Sequence, residues 1–455
     1  MDLAGGEESS RHISWPSHGY PHDGGERPPF VLIEPDACLA NCINATTAST
    51  PILYDAELEG CSIQVTFCAV HPPDVSHLCV HAVGLDDTLF PHPPRILATE
   101  ADGSLLLLCV PIPIRGDPYP PCAYVPITRE EYFVYHPRVP ALEHLRHPEP
   151  GTGSIPCLIE GTVAIVRKCS QHQRPHGAGG HDCSYVIAAQ SLRFGTGYPC
   201  QLYVYHSNTS SWKTPSVAFD TPLDLEYQTH KTIFIGGEKG TLAWVDLSGT
   251  IVLWDVLGKG ALRRPKFRQL QLPGPVEEGS DASTRDIAVL GSSINYVVME
   301  FSARGWKATV WSIRTDPFVP EEGWGIRYHL DSSGLQGFEG GPATAPYIGL
   351  PKLSLQDDAI VYFQTMYDYR DTHHTPWVIA VDMSNKTVQK VGKFVPSAAF
   401  GLCHDYDTSR ISKYLKVAPP CINIHPLQFP LGQHHFGDTS QITNQLPKHK
   451  KKQQP

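Results

Sequence analysis

The chain has no long hydrophobic run. Its longest apolar stretch, "LLLLCVPIPI" (Leu105 to Ile114), is too short to span a bilayer and is broken by Pro111 and Pro113. The opening residues "MDLAGGEESSRHISW" are acidic and polar with no apolar centre, so no secretory signal is expected there. The chain is therefore expected inside the cell, in cytoplasm or nucleus and off the membrane, with its 13 cysteines mostly reduced. It also lacks an excess of positive charge. With 36 Lys and Arg against 46 Asp and Glu, the formal charge is −10, which argues against the general affinity for nucleic acid that a basic face provides. The local exception is "KHKKK" (Lys448 to Lys452), readable as an import signal or as a solvated end.

Sustained 3.6-residue periodicity is absent as well. "PALEHLRH" (Pro140 to His147) and "SRISKYLKV" (Ser409 to Val417) are the stretches that read as one or two helical turns. Recognisable catalytic signatures are missing too. There is no G-x-S-x-G elbow, no H-E-x-x-H, no Walker lysine loop and no G-x-G-x-x-G fingerprint.

What is present is turn chemistry and short β-type runs. Pro (42) and Gly (38) are abundant, as expected of a chain with many turns. Residues 1–29 read as a disordered leader and 418–455 as a disordered tail, leaving 30–417 as one folded unit. Five runs look alike: "YFVYHP" (Tyr132 to Pro137), "LYVYHS" (Leu202 to Ser207), "IVLWDV" (Ile251 to Val256), "ATVWSI" (Ala308 to Ile313) and "VIAVDM" (Val378 to Met383). Another strand-like run precedes each of them: "LLLLCV", "SYVIAAQ", "GTLAWVDL", "NYVVMEF" and "AIVYFQTM". A strand that recurs at roughly 50 to 60 residues has the period of a four-stranded propeller blade. "SIQVTFCAV" and "HLCVHAV" supply one further blade. The expected fold is all-β, a β-propeller-like ring of five or six irregular blades with few short helices.

The stretch "GTLAWVDLSGTIVLWDVL" (Gly240 to Leu257) reads as a hairpin with Ser248-Gly249 as a two-residue loop. That register sets Trp244 opposite Leu253 and Ala243 opposite Trp254, one tryptophan on each face. Both faces are apolar, as in a blade covered by two neighbours. Asp246 and Asp255 fall on one face, at different heights.

This stretch, together with "FRQLQLP", "RDIAV", "YVVME", "LSLQDDAIVYF", "WVIAVDMSNKTVQ" and "SRISKYL", resembles the plant family called domain of unknown function 1618, expanded in cereal grasses. Upstream, "FVLIEPDACLANCINATTA" and "IQVTFCAVHPPDVSHLCVH" resemble its N-terminal part. The likeness covers roughly residues 30–417 and is most specific over 240–372. It implies a layout similar to F-box-associated and kelch-like propellers, with no catalytic residues to carry over. The first 30 residues show no F-box pattern.

Several residues are candidates for chemistry. His136, His206, Asp255 and Asp382 occupy equivalent strand ends, where they either converge as a binding ring or cap their own turns. Cys169, His172, His176, His181 and Cys183 offer zinc-type ligands within 15 residues, in a glycine-rich loop whose spacing matches no standard finger. Cys38-x3-Cys42 has nothing near it in sequence to complete a tetrahedral set. The polar run "YDYRDTHH" (Tyr367 to His374) reads as an exposed loop.

The function expected is a non-enzymatic protein-interaction module with an unidentified protein partner and no cofactor. The alternatives are a hydrolase or carbohydrate-binding enzyme using the propeller rim, and a metal-binding sensor built on residues 169–183.

Overall fold

The computed structural model describes residues 27–416, apart from 54–57, 88–89, 114–127, 147–157, 169–183, 192–200, 216–226, 259, 264, 275–281, 304, 316–322, 337–346, 367–375, 395 and 397–404. Six sheets form a six-bladed β-propeller.

The first blade contains β1 (Val31–Ile33), β2 (Cys38–Leu39), β3 (Ala48–Pro51), β4 (Ser62–Cys68) and β5 (Val75–Val83). Blade 2 follows with β6 (Arg95–Thr99), β7 (Leu106–Pro113), β8 (Thr128–His136) and β9 (Ala141–His144). Blade 3 is β10 (Val163–Lys168), β11 (Ser184–Ser191), β12 (Gln201–His206) and β13 (Ser211–Lys213). Blade 4 is β14 (Lys231–Gly236), β15 (Thr241–Val245), β16 (Thr250–Asp255) and β17 (Phe267–Gln271). Blade 5 is β18 (Arg285–Leu290), β19 (Ser293–Ser302), β20 (Gly305–Arg314) and β21 (Gly325–Asp331). Blade 6 is β22 (Tyr347–Leu353), β23 (Ile360–Met366), β24 (Trp377–Asp382) and β25 (Thr387–Lys393).

A last strand, β26 (Asp407–Ser409), returns to blade 1 and pairs antiparallel with β1. The order of that sheet is β26-β1-β5-β4-β3, with β2 beside β5, so the ring is closed by the C-terminal segment. First strands touch in succession around the axis: β6 to β10, β10 to β14, β14 to β18, β18 to β22 and β22 to β26.

The five look-alike runs are the third strands of blades 2 to 6, and the runs before them are the second strands. These are the strands buried on both faces, and burial of both faces is what gave them a continuous apolar signal. Each pair of neighbouring blades shares its own apolar interface, from the pair 1 and 2 round to the pair 6 and 1.

Two local expectations are corrected. "PALEHLRH" is not helical: Ala141–His144 is β9, whose Leu142 and His144 face inward against β8. Alternation against a neighbouring strand outweighs the intrinsic preference of so short a piece. "SRISKYLKV" divides into the end of β26 and a single 3-10 turn, Ile411–Lys413. Among the described residues the helical segments are 3-10 turns, with no α-helix.

The hairpin register is also corrected. Val245 faces Ile251, Trp244 faces Val252 and Leu242 faces Trp254. The loop is longer than two residues because Asp246 organises it. Its Oδ1 accepts from the Ser248 amide and hydroxyl, its Oδ2 accepts from the Gln228 amide, and its own amide donates to the Thr250 carbonyl. A slip of one residue moves side chains to the other face. Trp244 and Trp254 therefore stack on one face, with ring centroids 5.7 Å apart and planes 12° apart, in the interface with blade 3. Ala243, Val245, Ile251 and Leu253 fill the interface with blade 5. The two-sided burial expected of a blade holds, with both tryptophans on one side of it.

Closure depends on a glycine. Gly103, in the β6–β7 turn, has φ +86°, and a Cβ built on it would lie 2.2 Å from the Arg410 carbonyl carbon. Here the segment after β26 presses its backbone on blade 2, where Arg410 donates to the Ala101 carbonyl and Lys413 pairs with Asp102.

Candidate functional site

The propeller axis is lined by ionisable residues, at least one from every blade. Blade 2 gives Arg95, and the segment leading into blade 3 gives Glu160. Blades 4, 5 and 6 give Lys231, Asp286 and Lys352. Blade 1 gives Asp36, Asp405 and Asp407, the last two from its closing strand and the residues before it.

Their charges interlock. Lys231 Nζ lies 2.7 Å from Asp286 Oδ1 and 2.8 Å from Asp407 Oδ1. Lys352 Nζ lies 3.2 Å from Asp405 Oδ1. Arg95 Nε bridges Asp36 at 2.9 Å and Glu160 at 3.1 Å. Asp286 also accepts the Leu353 amide through Oδ2, at 2.9 Å, which ties blade 5 to blade 6. The Asp405 and Asp407 side chains keep 50% and 41% of their surface exposed, so the cluster faces a wet shaft rather than a sealed core.

Burial alone would lower the Lys231 ammonium, but Asp286 and Asp407 overcome it and hold its pKa above the usual lysine value. Asp407 shows the converse. Burial would raise its carboxyl, and Lys231 and Lys352 together bring it below the usual range. Glu160 goes the other way. Burial pushes its carboxyl up to about 7, and Asp405, Asp407 and Asp36 add to the rise against the opposing pull of Arg95. It is the axial carboxyl positioned to exchange a proton near neutral pH.

A second feature opens at the seam of blades 5, 6 and 1. It is a groove of about 600 Å³. Its floor is apolar, from Phe30, Ile360 and Tyr362, and its lips are polar, including Ser293, Gln356 and Asp357.

The four strand-end candidates all lie at the ends of third strands; His136, Asp255 and Asp382 are engaged within their own blade or with the next one, whereas His206 Nε2 is buried with no hydrogen-bond partner among the described residues. His136 Nε2 stands 3.5 Å from Glu143 across the β8–β9 hairpin, and its ring meets Tyr185 of blade 3 edge-on. His206 ends β12, and burial, with Lys213 and Lys168 nearby, lowers its pKa. Asp255 accepts from Thr241 Oγ1 at 2.7 Å and from Arg268 at 3.1 Å. Asp382 caps the β24–β25 turn, accepting from the amides and side chains of Ser384 and Asn385 and from Gln389 Nε2. Asp246 and Asp255 make no carboxylate pair, since one organises the β15–β16 loop and the other bonds Thr241 at the far end of the strands. Cys169, His172, His176, His181 and Cys183 lie outside the described residues, as do Tyr367 to His374 and Lys448 to Lys452.

The axial residues were missed in the sequence because each is a single charge beside a short strand. A signal was there. Arg95, Glu160, Lys231, Asp286, Lys352 and Asp407 recur 55 to 71 residues apart, the same spacing as the blades.

Comparison with known proteins places one segment in a family. Residues 244–362 match the family "Protein of unknown function (DUF1618)". The DUF1618 segment runs from Trp244 of β15 to Tyr362 of β23, and so takes in the Trp pair, Asp286 and Lys352. The resemblance read from the sequence is borne out over this stretch. No curated protein matches the chain. Among solved structures it is similar to the Dos1 propeller, at 10% identity and a TM-score of 0.29, over 67% of this chain and 62% of that one. It is also similar to Zg3597, a family 117 glycoside hydrolase of the marine bacterium Zobellia galactanivorans, at 10% identity and a TM-score of 0.21, over 70% of this chain and 81% of that one. The chain thus spans about 62% of the length of the Dos1 propeller. No helix among the described residues is long and apolar enough to cross a membrane.

Proposed function

We propose that the chain is a non-enzymatic protein-interaction module working inside a plant cell, with the groove between blades 5, 6 and 1 as its docking site. The groove carries this reading. Protein interfaces combine an apolar centre with a polar rim, and here an apolar floor of Phe30, Ile360 and Tyr362 lies below polar lips. A volume of about 600 Å³ suits a few side chains of an extended segment. Asp357, exposed at the lip, favours a segment carrying donors such as Lys, Arg or backbone amides. The test is capture from a cereal-plant extract, comparing the intact chain with a variant in which Ser293 and Gln356 are both replaced by Arg. These residues are partly exposed at the groove lips, so the replacements fill the groove without touching the core. A partner held by the intact chain and lost by the folded variant supports the reading.

A second reading rests on Glu160. A carboxyl that titrates near neutrality beside other carboxylates suits general acid–base work in a rim or shaft hydrolase. It requires that turnover of a small ester or glycoside disappear in Glu160→Gln while the fold is retained.

A further inference from the structure

Two polar side chains sit deep in the groove between blades 5, 6 and 1. Asn295 of β19 is 4% exposed and Tyr362 of β23 is 6% exposed, and both line the groove. Neither the Asn295 carboxamide nor the Tyr362 hydroxyl has a hydrogen-bond partner among the described residues. Side chains alternate along a strand. Ile294, Tyr296 and Val298 fill the interface with blade 4, so Asn295 faces the other way, toward blade 6, in line with Val297 and Met299. The neighbouring β22–β23 turn does not satisfy it, because that turn is closed on itself. Ser354 Oγ accepts the amides of Gln356 and Asp357, both at 3.2 Å, and the Asp357 carbonyl accepts the Ile360 amide. Buried polar groups in folded proteins are nearly all paired. An amide left open at the bottom of a groove is shaped for a ligand that brings both a donor and an acceptor.

Shape and chemistry narrow that ligand. The lining runs from Ser293 and Asn295 of blade 5, past the β22–β23 turn, to Phe30 of blade 1. An occupant that touches all of it crosses two blade seams, which suits an extended segment better than a compact molecule. A carboxamide offers N–H donors and a C=O acceptor side by side. An extended main chain presents the N–H and C=O of one residue to the same side. The two match as a reciprocal pair, whatever side chain that residue carries. Phe30 and Tyr362, edge to face with ring centroids 6.1 Å apart, offer an apolar platform for a neighbouring side chain. Asp357 is exposed in the turn, where its charge favours Lys or Arg.

We infer that the groove holds an extended peptide segment of a partner protein by its main chain. The Asn295 carboxamide pairs with the N–H and C=O of one residue, an apolar side chain rests on Phe30 and Tyr362, and a Lys or Arg lies beside Asp357. This rests on the groove being the docking site and adds what the groove reads there. Main-chain pairing supplies affinity, and the flanking apolar and basic side chains supply specificity.

The test selects phage-displayed random dodecapeptides on the folded full chain and measures the enriched peptides, made synthetically, by fluorescence polarisation. Enriched peptides are expected to carry Lys or Arg near an apolar residue. N-methylation of the peptide, one amide at a time, is expected to weaken binding about tenfold at one position, where it removes the N–H paired with Asn295 Oδ1. Asn295→Leu keeps the volume and removes the amide. It is expected to weaken the unmethylated peptide about tenfold and to make that position indifferent to methylation. An asparagine with only a structural role would leave the methylation pattern unchanged. If Asn295→Leu does not fold, the methylation scan on the unaltered chain decides alone, and a scan with no sensitive position overturns the inference. Peptides that are lost on replacing Ser293 and Gln356 by Arg, yet bind the Asn295→Leu chain as tightly as the unaltered one, overturn this inference and leave the groove reading standing. Peptide binding that neither change affects, or no enriched peptide at all, overturns both.

Discussion

Lys231 Nζ stands 2.8 Å from Asp407 Oδ1, joining the first strand of blade 4 to the closing strand of blade 1 across the ring. The two residues are 176 positions apart. The same ammonium holds Asp286, whose side chain is 1% exposed. Lys231→Met leaves that buried carboxylate without its cation. The expected loss is about 3 kcal/mol, the low end for breaking a buried pair, because Asp407 is open to water. Adding Asp286→Asn is expected to restore part of the loss, since the amide oxygen can still accept the Leu353 amide. Chemical denaturation of the two variants checks both statements.

Gly103 tests ring closure. Gly103→Ala places a methyl group against the Arg410 backbone at a positive φ. The strain and displacement are expected to cost about 2–4 kcal/mol. Limited proteolysis should then cut first near residues 405–416, because the segment after β26 is displaced. A variant with unchanged stability and unchanged cleavage would contradict this packing.

The two tryptophans of blade 4 should respond unequally. Trp244 Nε1 donates to the Thr162 carbonyl of the neighbouring blade at 3.0 Å, whereas Trp254 Nε1 is buried with no acceptor among the described residues. Trp254→Phe removes an unmet donor along with packing, while Trp244→Phe removes a bond and leaves the Thr162 carbonyl with the Gln190 amide as its donor. Trp244→Phe is therefore expected to cost about 1 kcal/mol more than Trp254→Phe. Thermal unfolding of both variants measures the difference.

Glu160 makes stability depend on pH. Its carboxyl titrates at about 7 in the folded chain, above the ordinary value of 4.5. The folded state therefore holds the proton more tightly than the unfolded state between those values. The contribution is fully present below about pH 4.5 and is lost as pH rises through about 7. Glu160→Gln is expected to flatten the fall in stability between pH 5 and pH 8. An equal fall in the variant would place the titrating group elsewhere.

Much of this fold was legible because the informative strands are sandwiched. "YFVYHP", "IVLWDV" and "VIAVDM" are apolar on both faces, as only a strand between two neighbouring blades needs to be. The register of the Trp hairpin was not legible, because Ser-Gly looks like a complete two-residue turn. What lengthens the loop is the Asp246 carboxylate, which bonds Ser248 two residues on and also holds the Gln228 amide from the segment before β14. The closing strand β26 has three residues, too few for a pattern. The axial charges come from segments far apart in sequence, and local reading does not join them. His136, Asp255 and Asp382 stood out through recurrence, yet recurring hairpins need recurring local partners, and such partners are what these residues have.

The most direct test of an interaction module is capture by the groove. The intact chain and the variant with Arg at positions 293 and 356 are each exposed to the same extract, after matched circular dichroism and melting curves. One partner retained by the intact chain in near-stoichiometric amount, and reduced at least tenfold by the variant, is the predicted result. Equal capture by both chains, or no capture together with turnover of a small ester or glycoside that requires Glu160, would contradict it.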